Sequence, residues 1–331
     1  MIVTKTPYRI SFFGGGSDYP SWYKKNGGAV LSTTIDKHIY ITCRFSPQYF
    51  KEKYRIVWRK IENVKNINQI NHKAVRELLK YLKINNGLEI HYHGDLPARS
   101  GMGSSSSFTV GLMQALFRIK DIKLNKLELA KKSIYFEQKV MGEVVGSQDQ
   151  TSASFGGFNK ITFNKNNSIS VKKIPFTKNI QKLNNNLMLI YTGISRTAEK
   201  IANQYANKLN TDKRKSIMNI IRYVAQGENI LRSGDIDDFG RLLHDTWLEK
   251  KALSKMISNS KINDIYDNAM KNGALGGKLL GAGGGGFLLM YMKKEKRKNF
   301  FKKNKKLINV PFNFTNSGSK IIFDQLHGKK S

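Results

Sequence analysis

The sequence predicts an α+β protein in two parts, a sheet-rich portion over residues 1–180 and a helix-rich portion over 181–331. Three observations carry that prediction. Short segments of period-two alternation crowd the first part, as half-buried strands require. From Thr197 to Asn272 the apolar residues instead recur at helical spacing. Between them, Phe176 to Asn186 is polar and asparagine-rich, which reads as a boundary. At 331 residues, with 40% hydrophobic and 11% aromatic content, the chain has enough material for a core and enough length for two domains.

The elements follow in order. KHIYITCRF sets Ile39, Ile41 and Cys43 on one face against His38, Tyr40 and Thr42, and GLEIHYH does the same with Leu88, Ile90 and Tyr92 against Glu89, His91 and His93. His91 and His93 share a face, but no third metal ligand lies near them in the sequence. IVWRKIENVKNINQ reads as polar and turn-prone. INHKAVRELLKYLKI, with Ile70, Ala74, Leu78 and Leu82 one turn apart, reads as a helix. Two further helices are expected over Phe108 to Lys120 and Leu127 to Met141, after which GSQDQTSASFGGFNKITF returns to strand. Short strands are expected around Ile169 to Ile174 and Leu187 to Tyr191. The helical run closes at Gly273, and FLLMYM is a strand.

Composition narrows the function. The single cysteine, Cys43, excludes an intrachain disulfide and a cysteine-based metal site. The uncharged stretch from Leu279 to Met292 is too short to span a bilayer, and MIVTKTPYRI lacks the apolar core of a signal peptide, so a cytoplasmic protein without membrane contact is expected. The net charge of +33 raises nucleic-acid binding as a rival function. The lysines are nevertheless scattered, and the dense block from Lys293 to Lys306 reads as a solvated helix that keeps Phe300, Phe301 and Leu307 for packing. No specific nucleic-acid partner is expected.

The most informative stretch is LPARSGMGSSSSFTVGLMQAL, Leu96 to Leu116. It joins a strand to a helix through Gly101, Met102 and Gly103, followed by Ser104, Ser105, Ser106 and Ser107. Glycines let backbone N–H groups turn toward an anion, a helix N-terminus adds its dipole, and hydroxyls cap the helix, meet phosphate oxygens or ligate Mg²⁺. It is not a Walker A loop, because no Gly-Lys-Ser/Thr closes it. A plain capped turn has the same local sequence, so the loop alone leaves both readings open.

Two more segments bear on that choice. TPYRISFFGGGSDYP carries Arg9, Gly14, Gly15, Gly16 and Asp18, and GGKLLGAGGGGFLLMY carries Lys278, Gly283 and Gly284. In this order the three segments resemble the signature motifs of the GHMP small-molecule kinases, named for galactokinase, homoserine kinase, mevalonate kinase and phosphomevalonate kinase, and the resemblance runs from Thr6 to about Phe323. With GGAVLSTTIDKHIYIT and GSQDQTSASFGGFN added, the chain looks like the branch that phosphorylates D-glycero-D-manno-heptose 7-phosphate on its anomeric oxygen.

That resemblance implies a two-domain GHMP kinase architecture, with a left-handed β-α-β unit in the N-terminal domain, a ferredoxin-like C-terminal domain and both substrates in the cleft between. It implies ATP and Mg²⁺, a sugar-phosphate acceptor, and a place in nucleotide-activated heptose synthesis for surface polysaccharide; a homodimer is left open. By match to the family, Asp149 in GSQDQ is the catalytic carboxylate, with Arg9 beside it. Ser105 and Glu137 are the Mg²⁺ ligands. A positioned carboxylate deprotonates an acceptor hydroxyl, and an anomeric hydroxyl is more acidic than an ordinary alcohol. Galactokinases carry a glutamate where this chain has Gly15, a change that opens space and removes a charge that would repel a phosphorylated acceptor. Asp18 remains for sugar hydroxyls. Arg196 and Lys278 are the candidates for the distal phosphate, against an ion pair for Arg196 and a helix-end contact near Gly273 for Lys278. A kinase of a free sugar such as fucose or galactose, and a non-catalytic sugar or nucleotide sensor, are the alternatives.

Overall fold

The computed structural model describes residues 1–194, 201, 204 and 206–325. Strands β1 (Ile2–Phe13), β2 (Gly28–Phe45), β3 (Tyr54–Val57), β4 (Ile61–Val64), β5 (Leu88–Gly94), β6 (Asn159–Phe163) and β7 (Ile169–Lys173) build a first sheet, with the short helix α1 (Pro20–Asn26) between β1 and β2. A second, antiparallel sheet has the order β11-β8-β10-β9, from β8 (Leu187–Tyr191), β9 (Ala274–Leu279), β10 (Phe287–Met292) and β11 (Ile308–Asn309). The chain then returns to the first sheet, where β12 (Phe314–Thr315) pairs with β2 and β13 (Lys320–Asp324) with β1. A single cut at residue 180 therefore leaves these two strands on the far side from the sheet they complete.

The expected apolar faces are buried except for the half-buried Tyr92, and His38 and Glu89 on the opposite faces are buried as well. Ile39, Ile41 and Cys43 point into the core, and across the antiparallel ladder Cys43 lies opposite Ile90. β3 and β5 run parallel, joined through β4 and the helix α2 (Lys73–Tyr81), which buries Val75, Leu78 and Leu79. The helix α3 (Ser104–Ile119) is apolar nearly all round, because it packs on β1 and β2 and is covered by α4 (Lys126–Tyr135) and α5 (Gln148–Phe155). Its N-terminus faces open space.

Four segments depart from their sequence patterns. IVWRKIENVKN holds the hairpin β3–β4, whose interior side buries Tyr54, Ile56 and the charged Glu62, so alternation is masked by a buried carboxylate. The segment after Ser147 is first a helix, α5, and Asp149 stands in its first turn; its small polar residues carry almost no helical pattern. The expected boundary at 176–186 contains α6 (Lys178–Asn186), capped by Thr177 and held by Ile180 and Leu183 one turn apart. The helix does end before Gly273, but GALGGKL then forms β9, a strand not read in the sequence, so the third glycine segment links two strands.

The C-terminal part carries α7 (Arg214–Ser233), α8 (Ile236–Leu253), α9 (Ser260–Lys271) and α10 (Lys294–Lys303). In α10, Phe300 is buried and the lysines face outward, as expected of a solvated helix. Among the described residues, no helix is long and apolar enough to cross a membrane, and no group of three or more His, Cys, Asp or Glu could hold a metal ion. His91 and His93 have no such third partner.

Candidate active site

β1 delivers Arg9 to the floor of a cleft between the two sheets' surrounding elements. Its guanidinium is buried and holds Asp149 through two parallel bonds, Nε to Oδ1 and Nη2 to Oδ2, each 2.7 Å. Nη1 donates to the Gly101 carbonyl at 2.7 Å, and the Arg9 backbone N–H donates to Met102 O at 3.1 Å. One side chain thus fixes β1, the Ser-rich loop and the start of α5 to one another. Gly103 (φ +75°) lies against this pair: a Cβ there would stand 3.2 Å from Arg9 Cγ and 3.3 Å from Asp149 Oδ2.

The N-terminus of α3 opens onto the same space. Ser104, Ser105 and Ser106 line the cavity with Gly101 and Gly103, and the first N–H groups of a 16-residue helix lie behind them. Ser104 Oγ accepts from Arg99 N at 3.2 Å. Ser107 is turned into the protein, where its hydroxyl donates to Pro7 O at 3.0 Å, and the Met102 side chain is buried in the core. Neither lines the cavity.

Glu137 lies in a π-helical turn, Phe136–Val140, that continues α4; such turns recur at functional sites. It is buried, and its Oε2 accepts from Ser106 Oγ at 2.8 Å and from the Gln150 amide. The other oxygen, Oε1, has no hydrogen-bond partner. Burial first, with the Glu143 charge, pushes this carboxyl up to about 7, against the opposing pull of the Thr109 hydroxyl first and of Ser106 and Gln150 after it. The hydroxyl on Glu137 is therefore that of Ser106; Ser105 is exposed toward the cavity.

This geometry has a measurable consequence. The folded chain keeps a proton on Glu137 between its ordinary 4.5 and about 7, so stability without metal falls as pH rises through that window and stays lower above it. Glu137→Gln removes the penalty. Thermal melts without metal should show the variant more stable than the parent by on the order of 2–3 kcal/mol at pH 8, with the difference vanishing below pH about 4.5. An equal difference at all pH values would contradict the assignment.

On the opposite wall, Asp18 is buried and accepts from Gly16 N at 2.9 Å and Gln148 N at 3.2 Å. Burial first, and the Asp149 charge second, push it up to about 6. Gly15 and Gly16 line the cavity, whereas Gly14 faces β2, where a Cβ would fall 1.9 Å from Ala29 O. Lys278, on β9, is buried and donates to Phe12 O at 2.6 Å, far in function from a helix end at Gly273, where Lys296 lies instead. Burial and the Arg9 charge bring it down to about 7. Gly283 lines the cavity; Gly284 does not, and its N–H donates to Ile257 O at 2.8 Å. Arg196 lies outside the described residues.

Several cavity residues were not singled out by the sequence: Arg99, Gln148 with its partner Ser11, and above all Lys250 on α8. Lys250 Nζ donates to Leu279 O at 2.6 Å and to Gly281 O at 2.5 Å. Its signal was present. Phe239, Leu242, Leu243, Thr246, Trp247 and Leu253 form the buried stripe of α8, and Lys250 sits on that stripe where an apolar residue is expected.

A glycine-lined cleft, an ion-paired aspartate and a helix N-terminus aimed at one point are the parts of a phosphoryl-transfer site. Comparison with known proteins decides the family. The model of the GHMP kinases N terminal domain matches residues 69–157, and that of the GHMP kinases C terminal domain matches residues 228–307. The chain belongs to the GHMP kinases. A D-glycero-alpha-D-manno-heptose 7-phosphate kinase of Campylobacter jejuni is 30% identical over 302 residues, covering 85% of this chain and 86% of that one. A Pyrococcus furiosus galactokinase is 24% identical over 85% and 86% of the two chains. Among solved structures, a D-glycero-D-manno-heptose 1-phosphate kinase from Bacteroides thetaiotaomicron superposes with a TM-score of 0.79 at 22% identity, covering 98% and 100% of the chains. A putative sugar kinase from Campylobacter jejuni gives 0.74 at 27%, covering 97% of each. This GHMP kinase has the two-domain α+β fold of its family and is an ATP-dependent sugar kinase.

Proposed function

We propose that this GHMP kinase transfers the γ-phosphoryl group of ATP to the anomeric hydroxyl of D-glycero-D-manno-heptose 7-phosphate, giving the 1,7-bisphosphate for nucleotide-activated heptose synthesis. The observation that carries the reading is the Arg9–Asp149 pair at the cavity floor, between the N-terminus of α3 and a wall built from Gly15, Gly16, Asp18 and Lys278. Asp149 orients the acceptor hydroxyl and takes its proton, with Arg9 holding the carboxylate and taking up negative charge. Gly101, Gly103 and Ser104 to Ser106 bind the nucleotide phosphates, whereas Ser107 and Met102 lie away from them. A Cβ at Gly15 would meet only Gln148 Nε2 at 3.8 Å and Ser11 Oγ at 3.9 Å, so there is room where a side chain is missing, and the room is left to the acceptor.

Ser105 and Glu137 are the residues assigned to Mg²⁺. Oxygen donors are the right type for it, and Glu137 Oε1 is a buried oxygen without a hydrogen-bond partner, which an ion would supply. When bound, the ion neutralises charge on the phosphates.

The reading is tested by the position of the new phosphate. An anomeric phosphate blocks ring opening, so reducing ends should disappear one for one with ADP released. ADP release with reducing ends retained would place the phosphate elsewhere on the sugar and end the reading.

A further inference from the structure

The geometry points to Lys250 and Lys278 as the two arms of one phosphate-binding subsite, in which a pair of inward-reaching ammonium groups waits for a dianion that the protein itself does not supply. Three observations meet here. Both ammonium groups line the cavity and both are held only by carbonyl oxygens, Lys250 by Leu279 and Gly281, Lys278 by Phe12. Neither has a carboxylate partner among the described residues. Once protonated, each ammonium has three donors, so Lys250 then keeps one and Lys278 two beyond the bonds it makes.

The surroundings favour an anion strongly. The charged groups that act on Lys250 are Lys278 from β9 and Arg9 from β1, and Arg9 is already neutralised by Asp149 from α5. Burial, Lys278 and Arg9, in that order, hold Lys250 well below the usual lysine range, and Lys278 stands at about 7. Buried ammonium groups are ordinarily paired with carboxylates. Here the carbonyls fix their positions, and a phosphate between them restores the charge balance and draws protons onto both.

The phosphate has two sources in the proposed reaction, the distal phosphate of the acceptor and the group being transferred. The inference deepens the proposed function and rests on it only for the identity of the acceptor. The subsite's chemistry rests on the two lysines.

The test uses inorganic phosphate as the probe, measured by titration calorimetry at pH 8 in buffers of different ionisation enthalpy. The parent protein should bind phosphate with net proton uptake. Lys250→Gln, which keeps a donor for the carbonyls but no charge, should fold with a normal melting curve, bind phosphate at least about tenfold more weakly and take up fewer protons. Should that variant fail to fold, Lys278→Gln carries the same measurement. Unchanged phosphate affinity and proton uptake in a folded variant would overturn the inference. Steady-state kinetics then separates the sources: a KM rise confined to 7-phosphorylated heptose assigns the acceptor phosphate, and an equal kcat loss on phosphorylated and free heptose assigns the transferred group. If the parent enzyme prefers free heptose while Lys250→Gln still weakens phosphate binding, the substrate reading fails and the subsite stands.

Discussion

Asp149→Asn should lower kcat for sugar phosphorylation by at least about 10²-fold while leaving ATP affinity close to that of the parent enzyme. Asparagine preserves the shape of the side chain and can still accept from Arg9, but it has no basic oxygen for the acceptor proton. In the proposed arrangement the nucleotide meets other residues, the Ser104–Ser106 hydroxyls that line the cavity and the first turn of α3, so its affinity has no reason to follow. The variant leaves Arg9 without a counter-charge at 4% side-chain exposure, and some loss of stability comes with it. Rates are therefore to be read on the folded fraction. A folded Asn variant with near-parental turnover removes Asp149 from the mechanism.

Gly281→Ala should cost at least about 10²-fold in kcat/KM, together with about 1–3 kcal/mol of stability. The second and third glycine segments touch at this point: a Cβ on Gly281 would stand 2.5 Å from Gly101 Cα, and one on Gly101 would stand 2.5 Å from Leu280 O. Gly281 also has φ +68°, where alanine is strained. Relief requires the loops to part, and each carries part of the site. Arg9 is bonded to Gly101 O, and Lys250 to Gly281 O. Gly142→Ala is the control, because Gly142 has a similar φ of +67° but nothing within 4 Å of its added Cβ. It should show the backbone strain alone, with kcat/KM unchanged. Equal kinetic losses in both variants would mean that strain, not loop contact, governs the effect.

Much of the fold was legible because local pattern and tertiary burial agree. The alternation in β2 and β5 names the apolar residues Ile39, Ile41, Cys43, Leu88 and Ile90 that are buried, though not His38 and Glu89 opposite them, and Ile180 and Leu183 would have identified α6 had the asparagines around them not suggested a linker. The return of β13 to β1 was not legible. Its pairing spans most of the chain, and its residues are largely exposed, so no period-two signal survives. α5 was hidden for another reason: Thr151, Ser152 and Ser154 are buried by packing on α3 and α4, not by their own hydrophobicity. In the site, glycine and serine motifs announced themselves, whereas Lys250 looked like one more lysine in a chain with 57 Lys and Arg. Only its register on the buried stripe of α8 sets it apart. Ser106 stood among four serines of equal promise, and the position of Glu137 behind α3 selects it as the hydroxyl on that carboxylate.

The central claim is that the cleft is built for an anionic sugar, and the ratio of kcat/KM for D-glycero-D-manno-heptose 7-phosphate to that for the unphosphorylated heptose tests it most directly. Two charge-assisted contacts to a phosphate, at about 1.5 kcal/mol or more each, correspond to a preference of at least about 10²-fold for the phosphorylated sugar in an ADP-release assay. That is the result expected. A ratio near one, or a preference for the free sugar, would contradict it.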